Sequence, residues 1–202
     1  MNSTEHLLKR GRRLEFFTIG WNVLEAVTSI GAGLFAGSIA LIGFGVDSLI
    51  ESASGTVILW RLRAGEVGER REQTALKLVG WSLLALAVYV AFDATKTLIQ
   101  GEEPQRSIPG ILIAALSLIV MPLLARAKRK VAAGLNSKAM VADSTQTDIC
   151  AYLSAILLGG LGLNALFGWW WADPMAGLIM VPIITKEGLE ALRGETCCDC
   201  QG

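Results

Sequence analysis

Long apolar stretches constrain this chain more than any other feature. An α-helix needs about 20 predominantly apolar residues to cross the hydrocarbon core of a bilayer. Six candidate stretches cover about 16–36, 39–60, 78–99, 108–124, 143–167 and 172–184. Hydrophobic residues make up 52% of the 202 residues, which is typical of a membrane protein. The sequence therefore predicts an all-α membrane protein with six transmembrane helices.

Basic residues are unevenly distributed between these stretches. All 18 Lys and Arg except Lys96 and Arg106 fall before the first stretch, between the second and third, between the fourth and fifth, or after the sixth. Because Lys and Arg collect on the cytoplasmic side of a membrane, these four regions are expected to share that side. Both termini are then cytoplasmic, and the brief gaps after the first, third and fifth stretches group the helices as three pairs.

This layout predicts a basic N-terminal segment (1–14), a six-helix transmembrane domain (15–192) and a Cys-rich cytoplasmic tail (193–202). The run at 169–171 is expected to form an outer aromatic belt, with Asp173 as an N-cap before Pro174. The formal net charge is +0, so no basic field exists to hold nucleic acid. The expected surroundings are the lipid bilayer of a bacterial inner membrane.

Acidic residues inside the predicted spans need an explanation. Each charge at the membrane centre costs about 2.5–3.5 kcal/mol. Lys96 can pair with Asp93 on one helix face, but the other acids have no basic partner in view. They are therefore expected to stay protonated or to bind a cation. The acids are Glu25, Asp47, Glu51, Asp93, Asp143 and Asp148.

Their spacing favours a cation. Asp47 and Glu51 are four residues apart, so they stack on one face of the second span. Two carboxylates under-coordinate a divalent ion, and the polar start of the fifth span is expected to supply the rest. A helix cap and a protonated core pair are the structural alternative. The predicted ligands are Asp47, Glu51, Asp143 and Asp148, with Ser144 and Gln146 as secondary candidates.

Four motifs in this order resemble the cation diffusion facilitator family of divalent-metal transporters, and the likeness covers about 14–192. The resemblance implies a four-residue metal site, with two residues from the second span and two from the fifth. It also implies exchange of metal for protons by alternating access, a homodimer and no enzyme activity, with the metal as substrate rather than prosthetic group. The motifs are Gly37-Ser38-Ile39-Ala40-Leu41, Asp47-Ser48-Leu49-Ile50-Glu51, Ala142-Asp143 through Asp148, and Trp171-Ala172-Asp173-Pro174.

The fifth span departs from the family pattern. Members commonly carry His or Asp four residues before the span-five aspartate, and here that residue is Ser144. Asp143 lies five residues before Asp148, about 140° around the helix. A second register places Asp143, Gln146 and Cys150 on one face and leaves Asp148 elsewhere. The adopted hypothesis is Asp148 with Asp143 as its partner, and Cys150 as a small core residue. The sequence is also expected to lack the cytoplasmic C-terminal domain usual in the family.

Ligand type suggests the metal. Carboxylates without histidine are hard donors, which favours manganese or ferrous iron over zinc. The tail adds three soft donors, Cys197, Cys198 and Cys200, which are expected to remain thiols in the cytosol. They could collect metal with a further ligand, carry a lipid, or be inert.

The leading functional hypothesis is proton-coupled efflux of a divalent cation such as Zn, Mn or Fe. One alternative is a membrane protein that senses or buffers metal without transporting it, for which the thiol tail would be essential. A remote alternative is an intramembrane aspartyl hydrolase. Such enzymes resemble a G-x-G-D pattern, whereas residues 43–47 insert an extra residue before the acid.

Overall fold

The computed structural model describes residues 3–64, 69–101, 105–135 and 137–193, and within them it contains six α-helices and no strand. The predicted all-α class is confirmed. Five of the helices in these ranges contain a segment long and apolar enough to cross a membrane, and α6 is not among the five. The helices are α1 (Ser3–Ala36), α2 (Ile39–Ala64), α3 (Glu69–Gln100), α4 (Ile108–Leu135), α5 (Lys138–Phe167) and α6 (Ala172–Arg193).

The helices run well past the apolar stretches that predicted them. Residues 3–14 continue α1, and the basic segment after residue 124 is the last part of α4 rather than a loop. Lys, Arg and Glu are good helix formers, so a helix does not end where its sequence becomes polar. Only residues 136 and 137 separate α4 from α5. The expected long basic connection at this place is therefore wrong.

The reversal between α1 and α2 takes two residues. Gly37 adopts the left-handed conformation with φ 67°, which glycine reaches without the steric cost that a side chain would bring. The Ser38 amide donates to the Gly33 carbonyl at 3.0 Å, closing the end of α1. The two helices leave this turn packed against one another.

Packing between helices only partly follows the predicted pairs. In the described part of the chain α1 packs on α2 and α5 contacts α6, as expected, but α3 packs chiefly on α6 and α4 on α5. The α3–α6 contact is close because glycines face each other. A Cβ at Gly80 would lie 2.8 Å from the Gly188 carbonyl oxygen, closer than such atoms approach.

Asp173 does not act as predicted. It lies inside the first turn of α6, and its Oδ1 accepts a hydrogen bond from the Ser38 hydroxyl at 2.5 Å. The backbone N–H groups of Ile39 and Ala40, at the start of α2, also interact favourably with this carboxylate. The acid therefore caps the start of α2 rather than its own helix. This contact joins two of the motifs that carry the family resemblance.

The centre of the bundle is apolar. Its largest buried apolar side chains come from α2, α3, α4, α5 and α6, whereas many other large apolar side chains point outward, as they do in a protein that faces lipid. Phe35, for instance, is 90% exposed. The core includes Leu41, Phe44, Leu83, Leu153, Leu157, Met180 and Ile184. Acidic and polar residues are also buried in this interior.

Candidate metal site in the helix bundle

Three buried carboxylates from α1 and α2 form what we call the inner acidic group: Glu25, Asp47 and Glu51. Their exposures are 0%, 4% and 1%. Asp47 and Glu51 share one face of α2, as their spacing predicted, and both act electrostatically on Glu25. Within the described residues, none of the three forms an ion pair with Lys, Arg or His.

Hydroxyl groups hold this group in place. Glu25 accepts hydrogen bonds from the Ser117 hydroxyl of α4 and from the Ser48 hydroxyl at 3.0 Å. The Thr147 hydroxyl of α5 donates to Glu51 Oε1 at 2.8 Å. The second oxygen of Glu51, Oε2, is buried and has no hydrogen-bond partner among the described residues. Glu51 therefore keeps unused capacity to bind a donor or a cation.

The inner face of α5 carries Thr147 and Cys150. Cys150 is 1% exposed and belongs to the apolar core, as predicted, yet its Sγ lies 4.0 Å from Glu25 Oε2. It also interacts with Glu51. The amide nitrogen of Gln146 is buried and finds no hydrogen-bond partner in the described part of the chain. Of the second register, which groups Asp143, Gln146 and Cys150, the structure places Cys150 beside the inner acidic group, whereas Asp143 contacts Lys128 instead.

Asp143 belongs to a different group. Its Oδ2 lies 2.5 Å from Lys128 Nζ, and Glu15 Oε2 lies 3.2 Å from the same nitrogen. All three side chains are buried, and we call them the Lys128 group. The expectation that Asp143 lacks a basic partner is wrong. In this arrangement Asp143 pairs with an ammonium that Glu15 shares.

The position of Lys128 could have been found in the sequence. The buried positions of α4 recur at helical spacing, and Lys128 fits this series. Reading the fourth span as ending at residue 124 hid the pattern, because it treated the basic segment as a loop. The series runs Met121, Leu124, Ala125, Lys128, Val131 and Ala132.

Asp148 points away from the inner acidic group. Its carboxylate accepts a hydrogen bond from Arg129, and its side chain is 27% exposed. It lines an open groove between α4 and α5 together with Pro122, Arg126 and Tyr152. The structure therefore does not bring Asp148 to Asp47, and the expectation that Asp148 lacks a basic partner is also wrong.

Of the remaining candidates the structure describes one serine and leaves the three tail cysteines outside its ranges. The Ser144 hydroxyl donates to the Val141 carbonyl of its own helix at 2.6 Å, which occupies its only proton. Cys197, Cys198 and Cys200 lie outside the described residues. Their predicted role in collecting metal stays a prediction.

Sequence reasoning missed Glu187 of α6. Its Oε2 is buried without a hydrogen-bond partner among the described residues, and Asp47 and Glu51 act on it electrostatically. The predicted sixth span ended at residue 184 and excluded it. The signal was its spacing, because Glu187 follows the buried Met180 and Ile184 at seven and three residues, on the same helix face.

Among the described residues these side chains do not form a complete metal site in the present arrangement. Within the described part of the chain, no three His, Cys, Asp or Glu side chains lie close enough to hold one ion. Binding by the inner acidic group would therefore require its side chains to move inward. Carboxylates, a thiol and a hydroxyl can do so by rotation, and each is a ligand type that divalent metals accept.

Comparison with known proteins gives a consistent result. The family described as the cation efflux transmembrane domain matches residues 16–195. A cadmium, cobalt and zinc/H(+)-K(+) antiporter of Bacillus subtilis (strain 168) is 24% identical over 214 residues, covering 95% of this chain and 63% of the relative. An uncharacterized transporter of Synechocystis sp. is 24% identical over 189 residues, covering 87% of this chain and 60% of the relative. The chain thus spans about 60% of the length of these curated relatives.

Proposed function

The chain belongs to the cation efflux transmembrane domain family, and from this premise we propose that it exports a divalent metal cation from the cytoplasm. It is a multi-pass integral membrane protein of the bacterial plasma membrane, in a family of transporters rather than enzymes. The cation is the substrate. The binding site, the identity of the cation and the coupled ion are part of this proposal.

One observation carries the proposal: three buried carboxylates share an interior in which none of them forms an ion pair with a described residue, and Lys128 acts on Glu51 only electrostatically. A charge at the membrane centre costs about 2.5–3.5 kcal/mol. Protons can remove that cost, and so can a divalent cation. A transporter that exchanges one for the other uses both states of the same carboxylates.

The proposed ligands from α2 are Asp47 and Glu51, and those from α5 are Cys150 and Gln146. Asp143 and Asp148 are left out because they pair with Lys128 and Arg129. A thiolate among the ligands makes the site softer than a set of carboxylates alone. We therefore favour zinc, cadmium or cobalt over manganese and ferrous iron. The name of the Bacillus subtilis relative includes cadmium, cobalt and zinc.

Protons are the proposed counter-substrate. Carboxylates and thiols bind metal in their deprotonated forms, so metal uptake releases protons and affinity falls as the pH is lowered. Movement of the helices between inward-open and outward-open arrangements would then carry metal outward and protons inward. A homodimer, implied by the family resemblance, remains part of this proposal.

The test is metal flux in proteoliposomes loaded with a zinc-sensitive dye. Asp47→Asn removes one proposed ligand charge and is expected to reduce zinc flux to the level of empty vesicles. Asp148→Asn is the matched control, because it changes the same functional group on the outward face of α5 and is expected to retain flux. Wild-type flux of every tested metal by Asp47→Asn would show that the site is wrongly assigned. Tight binding without flux in the wild type would favour a sensor or buffer.

A further inference from the structure

We propose that Glu25 of α1 is itself a ligand of the transported cation, so that the metal site draws on three helices rather than on α2 and α5 alone. This inference rests on the proposed function. It assigns a role to a side chain that the four-residue site implied by the family resemblance does not include.

The position of Glu25 supports a direct role. Its side chain is fully buried, and Oε2 lies 3.0 Å from the Ser48 hydroxyl and 4.0 Å from Cys150 Sγ. Ser48 adjoins Asp47 in the chain, and Cys150 is the proposed α5 thiol ligand. Glu25 therefore contacts both helices of the site. A metal held between α2 and α5 at this level would lie within reach of its carboxylate.

The ligand count leaves a place for it. Removing Asp143 and Asp148 leaves α5 with one anionic donor, Cys150, beside the two carboxylates of α2. Divalent zinc and its chemical neighbours bind four strong ligands, and the amide of Gln146 is a weak one. Glu25 supplies a third carboxylate where one is lacking.

A second observation points to a ligand at the same place. Glu51 is 1% exposed, its Oε2 finds no hydrogen-bond donor in the described part of the chain, and it interacts with Cys150. A buried carboxylate oxygen left unpartnered is costly unless something binds it. Glu25 and Glu51 act on each other electrostatically across this space, and a shared cation would satisfy both.

The competing explanation is that Glu25 is a hydrogen-bond acceptor that ties helices together. It accepts from Ser48 of α2 and from Ser117 of α4, which in turn receives a hydrogen bond from Trp21 at 3.3 Å. Those contacts need an oxygen but not a negative charge. A glutamine keeps the size and one acceptor oxygen, so substitution by glutamine separates the two explanations.

The experiment measures binding of Zn²⁺ by calorimetry and of Co²⁺ by visible absorption to the full chain in detergent. Even loss of an outer partner of a metal ligand costs about 10–100-fold in affinity. We expect Glu25→Gln to weaken binding by at least about tenfold and to change the Co²⁺ spectrum, because the coordination sphere changes. Glu25→Asp keeps the carboxylate on a shorter stem and is expected to recover part of the affinity and to retain a carboxylate-bound spectrum.

Ser117→Ala is the matched control. It removes a hydrogen bond from Glu25 while leaving the carboxylate, and it is expected to retain the wild-type Co²⁺ spectrum. Wild-type affinity and spectrum in folded Glu25→Gln would overturn the role of Glu25, and so would equal losses in Ser117→Ala and Glu25→Gln. If Asp47→Asn abolishes binding in that case, the proposed function stands and the Glu25 assignment alone fails. Absence of binding by the wild-type chain would overturn both.

Discussion

Two groups of buried acids lie side by side in this bundle and differ in one respect. The Lys128 group places two carboxylates around one ammonium, at 2.5 and 3.2 Å. The inner acidic group places three carboxylates near one another without an ion pair among the described residues, although the Lys128 ammonium acts electrostatically on Glu51. In the first group one ammonium balances one of the two carboxylates, which is typical of a structural tie. In the second group a bound proton or metal cation has to supply the compensating charge.

Thr147 connects the two groups. Its hydroxyl oxygen accepts a hydrogen bond from Lys128 Nζ at 3.3 Å and lies 2.8 Å from Glu51 Oε1, to which it donates. Buried acids therefore do not by themselves mark a metal site. The nearest basic side chain decides, and in a helical membrane protein that side chain can come from a helix end that looks like a loop.

The largest expected effect is on stability and comes from the compensated group. Lys128→Met removes the ammonium and leaves Glu15 and Asp143 buried without a cation. Breaking a buried ion pair from one side typically costs about 3–5 kcal/mol. The free energy of unfolding, measured by titration with denaturing detergent in mixed micelles, is expected to fall by about that amount.

The matched control removes the whole group. In Lys128→Met combined with Glu15→Gln and Asp143→Asn no charge is left to bury, and much of the lost stability is expected to return. Unchanged stability in the single variant Lys128→Met would contradict the assignment of Lys128 as a structural tie.

Zinc is expected to stabilise the folded protein by binding to the inner acidic group. A ligand that binds only the folded state stabilises it by about 2.7 kcal/mol at 100 times its dissociation constant. Zinc is expected to raise the unfolding free energy of the wild type by that order and to leave Asp47→Asn unaffected. The measurement is the same unfolding titration with and without zinc. An equal gain in both proteins would show that zinc binds elsewhere.

Part of the difference between the two groups was predictable from the sequence. Apolar stretches predicted the helices, because crossing a membrane requires them, and the four-residue spacing predicted that Asp47 and Glu51 share a face. The stretches did not predict where the helices end, because polar helix formers continue a helix beyond the lipid. Lys128 was therefore placed outside the bundle.

The sequence also did not determine how α5 is rotated about its own axis. Adjacent residues of α5 are separated by about 100° around the helix, so a choice between Asp148 and Cys150 decides which face meets α2. The chemical preference for carboxylate ligands favoured Asp148, whereas the packing of α5 on α2 turns Thr147 and Cys150 toward the inner acidic group. Spacing alone could not rank these, although the second register already included Cys150.

A smaller effect is expected at the link between the groups. Thr147→Val keeps the shape of the side chain but removes the hydroxyl between Lys128 and Glu51. A buried polar group that loses its partner costs about 1–3 kcal/mol, so stability is expected to fall within this range. Zinc affinity should change as well, because Glu51 is no longer held by α5.

Thr145→Val provides the comparison for that variant. Thr145 lies two residues away on α5, and its hydroxyl donates to the Val141 carbonyl of the same helix at 3.2 Å. Its loss leaves neither charged group without a partner. Equal changes in stability and zinc affinity for the two variants would mean that Thr147 does not connect the groups.

The smallest effect is expected at Asp148, and it tests the comparison from the outward side of α5. Asp148→Asn breaks the pair with Arg129, whose side chain is 51% exposed. Exposed ion pairs contribute about 0–1 kcal/mol, since solvent screens them and both side chains lose freedom in pairing. The unfolding free energy and zinc affinity should therefore stay close to those of the wild type. A loss of zinc binding as large as that of Asp47→Asn would return Asp148 to the metal site and require α5 to rotate during transport.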